Sequence, residues 1–478
     1  MSTQCNPKRF QFQGLGGRTV VGGFDGGEIT SDAGGLLLRE VEKRTGVIHQ
    51  FAGCFRDGRN AKLIEHSVQE LVGQRVYALA LGYEDLNDHD DLRRDHLLAT
   101  LVGKEDPTGQ NRRQEQDQGK PLAGKSTLNR LELHPGGESQ DRYKKIGVDE
   151  AAVERFLVKV FLDRYESPPA RITLDLDATD DPLHGHQEGR FFHGFYNCYC
   201  YLPLYMFCGG FPLCAQLRVS NIDASEGTVE VLKRMVGQIR EGWPEVEILI
   251  RGDSGFAREE IMAWCEANGV DYVLGLAKNK RLLRRIEKEQ ERARARFERR
   301  GQPTRIFAEF SYRTRKSWSR SRRVVAKAEH LAKGANPRFI VTSLSREQIK
   351  ARPLYERVYC ARGEMENRIK EQQLDLFADR TSSSKMRANQ LRLWLSTVAY
   401  LLLHLFRELG LKGTEMAKAQ CGTIRLKLLK IGAQVKVSVR RIVVAFAVGY
   451  PYQRIFAQVY ENLLRVTPVL RRAGPVLS

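Results

Sequence analysis

The stretch R-I-T-L-D-L-D-A-T-D at residues 171–180 decides the fold, because it is an apolar strand that ends in acids. A second strand of this kind, V-E-I-L-I-R-G-D-S-G-F at residues 246–256, leads into Asp253. Side chains alternate along a strand, so Asp175 and Asp177 lie on one face. A carboxylate buried in a sheet is costly unless it is paired or bound to a metal. The pattern therefore predicts a polar site at the strand ends, with a strand end that simply reaches solvent as the alternative.

The segments around these two acids predict an α/β order. Glycine turns separate alternating strands, and amphipathic helices lie before and after the second acidic strand. The predicted elements are strands Ile172–Asp177, Phe191–Phe207 and Pro212–Val219, helix Thr228–Ile239, strand Val246–Arg251, helix Arg258–Ala267 and strand Asp271–Ala277. This is the order of a ribonuclease-H-like α/β domain. Right-handed crossovers place its first and fourth strands side by side and parallel, so Asp177 and Asp253 should emerge at neighbouring strand ends.

A third acid lies in a helical stretch, Y-C-A-R-G-E-M-E-N-R-I-K-E-Q at residues 359–372. Steps of three or four residues place one polar stripe on the helix. The stripe consists of Tyr359, Arg362, Glu366, Lys370 and Gln373. An ordinary surface pair between Glu366 and Lys370 is the alternative. The tyrosine and arginine on the same stripe, together with the two strand-end acids upstream, favour a functional face.

Three carboxylates of this kind can converge on a pair of hard metal ions, for which Mg²⁺ is the natural choice. The net charge of +19 and the pI near 9.6 favour a polyanionic partner, with nucleic acid as the first candidate. A generally basic solvated surface is the alternative. No stretch reaches the ~18 apolar residues of a membrane span, so no membrane partner is expected. The N-terminus lacks the apolar centre of a signal peptide, which predicts a cytoplasmic protein.

The whole chain divides by pattern into five predicted segments. A mainly helical region covers residues 1–168, and it is followed by the first part of the core, 169–277. A basic insertion, 278–345, contains a charged helix, short strands at 306–328 and one more strand at 339–344. The second part of the core with the Glu366 helix covers 346–411, and a basic C-terminal helical extension covers 412–478. Nine scattered cysteines without a C-x-x-C pair predict free, buried thiols.

Four motifs carry a resemblance to a known family. They are F-D-G-G-E-I-T-S-D-A-G-G-L-L-L-R-E near the start, L-D-L-D-A-T-D-D-P-L-H-G-H-Q-E-G, I-R-G-D-S-G-F and Y-C-A-R-G-E-M-E-N-R-I-K-E. The chain resembles DDE transposases of bacterial insertion sequences, and within them insertion-sequence family 1380. The resemblance implies that Asp177, Asp253 and Glu366 are the catalytic acids and the ligands of two Mg²⁺ ions, with Mn²⁺ as a substitute. The wider signature ends in lysine, where this chain has Gln373, and Lys370 one turn earlier is the candidate replacement.

The resemblance also implies a reaction and its partners. The expected activity is cleavage at element ends and strand transfer into target DNA, by cut-and-paste transposition, and residues 1–168 are expected to bind the element ends. The expected partners are double-stranded DNA with terminal inverted repeats, target DNA and a second copy of the chain in the DNA complex, in the bacterial nucleoid. A non-catalytic DNA-binding derivative and a Mg²⁺-dependent structure-specific nuclease are the alternative functions. The residues expected to contact DNA are Tyr359, Arg362, Lys370, Trp318, Arg320, Arg322 and Arg323. For Trp318, a place in the core is the alternative to stacking on a base.

Overall fold

A computed structural model of the chain describes residues 9–133 and 144–467. The chain forms two compact units, Met1–Val148 with Val398–Ser478, and Asp149–Thr397. Residues 278–345, predicted as a basic insertion between the two parts of the core, lie inside the second unit. Within the described residues, no helix is long and apolar enough to cross a membrane.

The first unit begins with small sheets and helices. In chain order its elements are β1 Arg9–Leu15, β2 Arg18–Gly23, β3 Ile29–Thr30, α1 Gly35–Thr45, α2 Val47–Ala52, β4 Phe55–Asp57, α3 Val68–Leu81, α4 His89–Leu92, α5 His96–Val102, α6 Lys125–Glu132 and β5 Ile146–Val148. Helix α3 begins at Val68, because Ser67 caps it. The Ser67 hydroxyl accepts from the Glu70 amide, and the Glu70 carboxylate accepts from the Ser67 amide.

The second unit holds the large sheet and the helices that cover it. In chain order its elements are α7 Glu150–Leu162, β6 Arg171–Ala178, β7 Asp181–Pro182, β8 Phe191–His193, β9 Cys198–Tyr201, β10 Leu204–Cys208, β11 Phe211–Gln216, α8 Thr228–Gly242, β12 Glu247–Gly252, α9 Glu259–Ala267, β13 Asp271–Leu276, α10 Lys280–Arg285, α11 Glu287–Arg300, β14 Thr304–Tyr312, β15 Arg322–Leu331, β16 Gly334–Ala335, β17 Arg338–Thr342, α12 Ala351–Pro353, α13 Gly363–Lys370 and α14 Met386–Leu409. The boundary falls within α14, because the first unit resumes at Val398, and that unit continues with α15 Cys421–Ile424, β18 Ala433–Val437, β19 Ile442–Phe446 and α16 Gln453–Arg465.

One sheet of nine strands organises the second unit. Its order is β11-β10-β6-β12-β13-β17-β15-β14, and β16 pairs with β15. Strand β6 pairs in parallel with β12, and β12 with β13, whereas the other pairs are antiparallel. The parallel pairing of the two strands that precede the strand-end acids confirms the sequence prediction. Helices α8 and α9 supply the two crossovers.

The predicted aromatic strand over 191–207 is wrong as one element. Only its last part, β10, joins the large sheet, and Gly209 turns it into β11 with a φ of +59°. Its earlier part forms β8 and β9 of a separate three-stranded sheet with β7. The alternating aromatic pattern spans both pieces, so periodicity alone does not show the break. No disulfide joins any of the eight cysteines among the described residues, and six of them are buried.

The segment predicted as a basic insertion contributes strands to the large sheet. Strand β17 pairs with β13, β15 with β17, and β14 with β15 in a long hairpin. The expected single charged helix is two helices, α10 and α11. Side chains from four neighbouring strands form one apolar row that packs against the helical segment 351–359. The row and its cover are Leu249, Val273, Ile340, Val325, Leu354 and Tyr355.

Candidate active site

The first acid of the site sits at the end of β6. Residues Leu174 and Leu176 face one side of the sheet and are fully buried, so Asp177 faces the other side. The register pairs Leu176 with Gly252, which places Asp253 beside Asp177 directly after β12 ends. The sheet therefore brings the two strand-end acids to one edge.

The second acid shapes the turn that follows its own strand. The Asp253 carboxylate accepts from the Gly255 amide at 2.8 Å and begins a short 3₁₀ turn. The neighbouring strand β13 leaves room for this turn only through Gly275. A Cβ at Gly275 would lie 2.7 Å from the Tyr359 hydroxyl and 2.8 Å from the Ser254 amide nitrogen. Glycine is therefore required where the Asp253 turn and Tyr359 approach the sheet.

The third acid comes from an irregular helical segment that runs over this edge. A π-helical turn covers Leu354–Tyr359, a 3₁₀ turn covers Cys360–Arg362, and a second π-helical turn covers Glu371–Asp375 on the far side of α13. Such irregular turns within helices are frequent at functional sites. Glu366 lies on α13, between the two π-helical turns.

Arg362 links the acids of the helix and of the sheet. Its guanidinium lies 2.6 Å from Glu366 Oε1 and 3.6 Å from Asp177 Oδ2. Burial raises the pKa of Tyr359, the nearby Arg362 lowers it, and Asp253 raises it again. Tyr359, Arg362 and the three predicted acids are thus close enough to act on one another electrostatically.

The electrostatics of this cluster suit a bound cation. Burial raises the pKa of Asp177 to about 7; the Arg362 charge opposes this, and Asp253 and Glu366 raise it. Like charges held together in a partly buried place repel, and a cation relieves that repulsion. Carboxylate oxygens are the ligands that hard divalent ions prefer, so the donor set fits Mg²⁺ or Mn²⁺. In residues 9–133 and 144–467, no three Asp, Glu, His or Cys side chains are grouped as a metal cage. The guanidinium of Arg362 lies between two of the acids.

Asp175 is on the same strand face as Asp177 but has a different partner. Its carboxylate accepts from Arg251 Nε at 2.5 Å and from Arg251 Nη2 at 2.8 Å, and both residues are buried. Sequence inspection missed Arg251, although a signal was present. Arg251 precedes Asp253 by two residues, as Asp175 precedes Asp177, and equal offsets on neighbouring parallel strands predict a contact.

The two candidates for the last basic position of the stripe have different surroundings. Lys370 is exposed at the end of α13. Gln373 donates from its amide nitrogen to the Asp180 carbonyl and to the Asp181 carboxylate, each at 3.1 Å. Gln373 therefore ties the helical segment to the chain just after Asp177, and Lys370 is the residue left available to a ligand.

The predicted DNA contacts of the β14–β15 hairpin are engaged inside the unit. The Arg322 side chain is 2% exposed and pairs with Glu259 and Glu266 at 2.6 and 2.7 Å. Arg323 pairs with Glu309 and donates to three backbone carbonyls. Arg320 is exposed but also pairs with Glu266.

Trp318 is also an internal residue of the second unit. It is 4% exposed, its ring packs edge-on against Tyr312, and the Arg322 guanidinium lies over it at 5.5 Å. The placement agrees with the core alternative for this tryptophan. The arrangement gives Trp318 and the three arginines structural partners, and DNA contact by them stays a prediction.

Comparison with known families decides the identity. Residues 12–468 match the sequence profile of the family described as Transposase DDE domain group 1. The chain belongs to this DDE transposase family. The finding confirms the resemblance at the family level, whereas membership of insertion-sequence family 1380 stays a prediction.

Two further comparisons add little to the assignment of this transposase. No curated protein matches the chain. Among solved structures it is similar to a piggyBac transposase synaptic complex with hairpin DNA, with 12% identity and a TM-score of 0.37. That match covers 94% of this chain and 83% of the other. A TM-score this low does not establish a common fold, so the site rests on its own geometry.

Proposed function

We propose that this transposase carries out Mg²⁺-dependent cut-and-paste transposition, with Asp177, Asp253 and Glu366 as catalytic acids and metal ligands. The observation that carries the proposal is the position of Arg362, which lies 2.6 Å from Glu366 and 3.6 Å from Asp177, beside which the strand register places Asp253. The chain would cut DNA at the ends of its element and join those ends to target DNA.

The proposal includes a ribonuclease-H-like catalytic core within the second unit. Five adjacent strands in the order β11-β10-β6-β12-β13 support it, since three antiparallel strands are followed by two parallel ones. Helices α8 and α9 connect these strands as that topology requires. The strands β17, β15 and β14 then extend the core beyond its fifth strand.

The three acids of the proposed site are held by different elements of the fold. Asp177 and Asp253 stand on paired strands, so the sheet fixes their separation, and Glu366 faces them from α13. These three side chains would hold the two ions. When bound, the ions polarise the scissile phosphate, activate a nucleophilic hydroxyl and stabilise the departing 3′ oxygen. Hydrolysis and strand transfer are both in-line displacements at phosphorus, so one site can serve both.

Two basic residues of the stripe, Arg362 and Lys370, would bind phosphates of the DNA backbone. The Arg362 guanidinium pairs with carboxylates here, and the same planar group can form two parallel hydrogen bonds with a phosphate. Lys370 presents an exposed point charge one turn beyond Glu366. The net charge of +19 supports double-stranded DNA as partner, with the terminal inverted repeats and the target as substrates. Because two ends must be joined together, a homodimer on DNA is part of the proposal.

The test replaces each acid by its uncharged isostere. Asp177→Asn, Asp253→Asn and Glu366→Gln should each abolish Mg²⁺- or Mn²⁺-dependent cleavage of labelled end DNA, while gel-shift affinity and the melting temperature stay close to wild type. Glu364→Gln, at an exposed position on the same helix, is the matched control and should cleave normally. Cleavage that persists in Asp177→Asn or in excess chelator contradicts the proposal. Cleavage without joining of the ends to a target would indicate a nuclease instead.

A further inference from the structure

One buried ion pair joins the two strands that lead to Asp177 and Asp253 and contacts the helical segment that continues into α13. Asp175 lies on β6, and Arg251 on β12 binds it through Nε and Nη2 at 2.5 and 2.8 Å. The remaining nitrogen, Arg251 Nη1, donates to the Val358 carbonyl at 2.5 Å. Val358 belongs to the π-helical turn of the segment that continues into α13. The guanidinium therefore joins β6, β12 and the helical segment at one point.

Asp175, Arg251 and Val358, which meet at this junction, each lie within two residues of a residue of the proposed site. Asp175 precedes Asp177 by two residues, and Arg251 precedes Asp253 by two residues, so each shares a sheet face with its acid. Val358 directly precedes Tyr359, the first residue of the functional stripe. The register pairs Arg251 with Asp175, so the ion pair runs across the two strands just inside the site.

Stability alone is a poor reason for such a pair. The side chains of Asp175 and Arg251 are 5% and 10% exposed, so both charges lose most of their hydration. Buried ion pairs are often matched or exceeded in stability by apolar residues of similar volume. What apolar residues cannot supply is a directional bond from one strand to a carbonyl of the helix, because they donate no hydrogen.

We propose that Asp175 and Arg251 are positioning residues, which set the location of the Glu366 helix relative to Asp177 and Asp253 and so shape the metal site. The inference rests on the proposed function of those three acids. Arg251 fixes the start of the functional stripe, and Gln373 holds its far end against residues 180 and 181. A shift of the helix at Val358 would carry Tyr359, Arg362 and Glu366 away from the strand ends together.

The decisive variant removes the ion pair without leaving a buried charge. Asp175→Leu with Arg251→Met should fold and melt close to wild type. It should cleave end DNA about 100-fold more slowly, the size of effect expected for misplacement by about 1 Å. Binding of Mn²⁺ alone, followed by the electron paramagnetic resonance signal of free Mn²⁺, should weaken as well. Gel-shift affinity for DNA should not change.

A matched control separates positioning from burial. Arg75 and Glu132 in the first unit form a pair with side chains 4% and 1% exposed, joined at 2.9 Å. Arg75→Met with Glu132→Leu should leave both cleavage and Mn²⁺ binding near wild type. A melting temperature that falls equally in both double variants, with activity lost in proportion, would show a purely structural role and overturn the proposal.

A single substitution covers the case in which the double variant does not fold. Arg251→Lys keeps the charge beside Asp175 but cannot bind Asp175 in two places and reach Val358 as well. It should lower Mn²⁺ affinity and cleavage with little change in melting temperature. A wild-type affinity for Mn²⁺ in this variant would contradict the positioning role. If the wild-type protein bound Mn²⁺ through its three acids without cutting DNA, the proposed function would fail while the positioning role still stood.

Discussion

The acid cluster at the ends of β6 and β12 differs from the basic hairpin β14–β15 in how its charged side chains are paired. In the hairpin, Arg322 and Arg323 each meet carboxylates at 2.5–2.7 Å, and the charges are matched inside the unit. At the strand ends, Arg362 lies between Asp177 and Glu366, and Asp253 and Glu366 both raise the pKa of Asp177. Matched charges indicate a stabilising role, whereas like charges held together indicate a site built for a ligand.

Substitution of Trp318 is expected to lower the stability most, and it tests whether the hairpin has a structural role. It is buried against Tyr312 and Arg322, so Trp318→Ala should destabilise the protein by roughly 3–5 kcal/mol. Chemical denaturation measures the loss. Trp264→Ala, at a partly exposed tryptophan in the same unit, is the control and should cost less. A stable Trp318→Ala protein that binds DNA but cleaves poorly would instead assign the ring to base stacking.

Arg322 tests the matched charges of the hairpin directly. Arg322→Ala leaves Glu259 and Glu266 without their main partner, and loss of one member of a buried pair costs about 3–5 kcal/mol. Because the glutamates keep some solvent contact, the lower end of that range is expected. The control Arg320→Ala removes an exposed pair worth at most about 1 kcal/mol. An unchanged unfolding free energy with weaker DNA binding in Arg322→Ala would move this arginine from structure to recognition.

Gly275 tests how tightly the acid cluster is packed. Gly275→Ala places a methyl group against the Tyr359 hydroxyl and the Ser254 amide, and such overpacking costs typically about 1–3 kcal/mol. Cleavage should fall more than stability does, since the Asp253 turn is one of the groups displaced. Gly237→Ala on α8, where an added Cβ meets nothing within 4 Å, is the matched control. Full cleavage by Gly275→Ala would mean that the turn is free to move.

Lys370 should show the smallest effect on stability and a clear one on DNA binding. Lys370→Ala removes an exposed charge, so the melting temperature should stay the same. The slope of log affinity against log salt should fall by ~0.9 for one lost phosphate contact. Lys159→Ala, at an exposed lysine of α7 that is not among the expected DNA contacts, is the control and should leave the slope unchanged. An unchanged slope in Lys370→Ala would contradict the assignment of Lys370 to the DNA backbone.

The sequence predicts some of this arrangement and leaves the rest open for physical reasons. Asp177 and Asp253 are predictable as neighbours, because right-handed crossovers fix which strands pair. The place of β14, β15 and β17 in the same sheet is not, because alternation marks a strand without naming its partner. The ion pairs of Arg322 are not predictable either, since a run of basic residues does not reveal that Glu259 and Glu266 face it.

The central claim is that Asp177, Asp253 and Glu366 form one metal site, and iron-directed protein cleavage tests it most directly. Fe²⁺ substituted into the protein, with ascorbate and peroxide, generates radicals that cut the backbone beside the bound ion. The predicted cuts fall in three separate segments, next to residues 177, 253 and 366. Added Mg²⁺ should suppress them, and they should be absent in Asp177→Asn. Cuts confined to other segments, or cuts that Mg²⁺ does not suppress, would contradict the account.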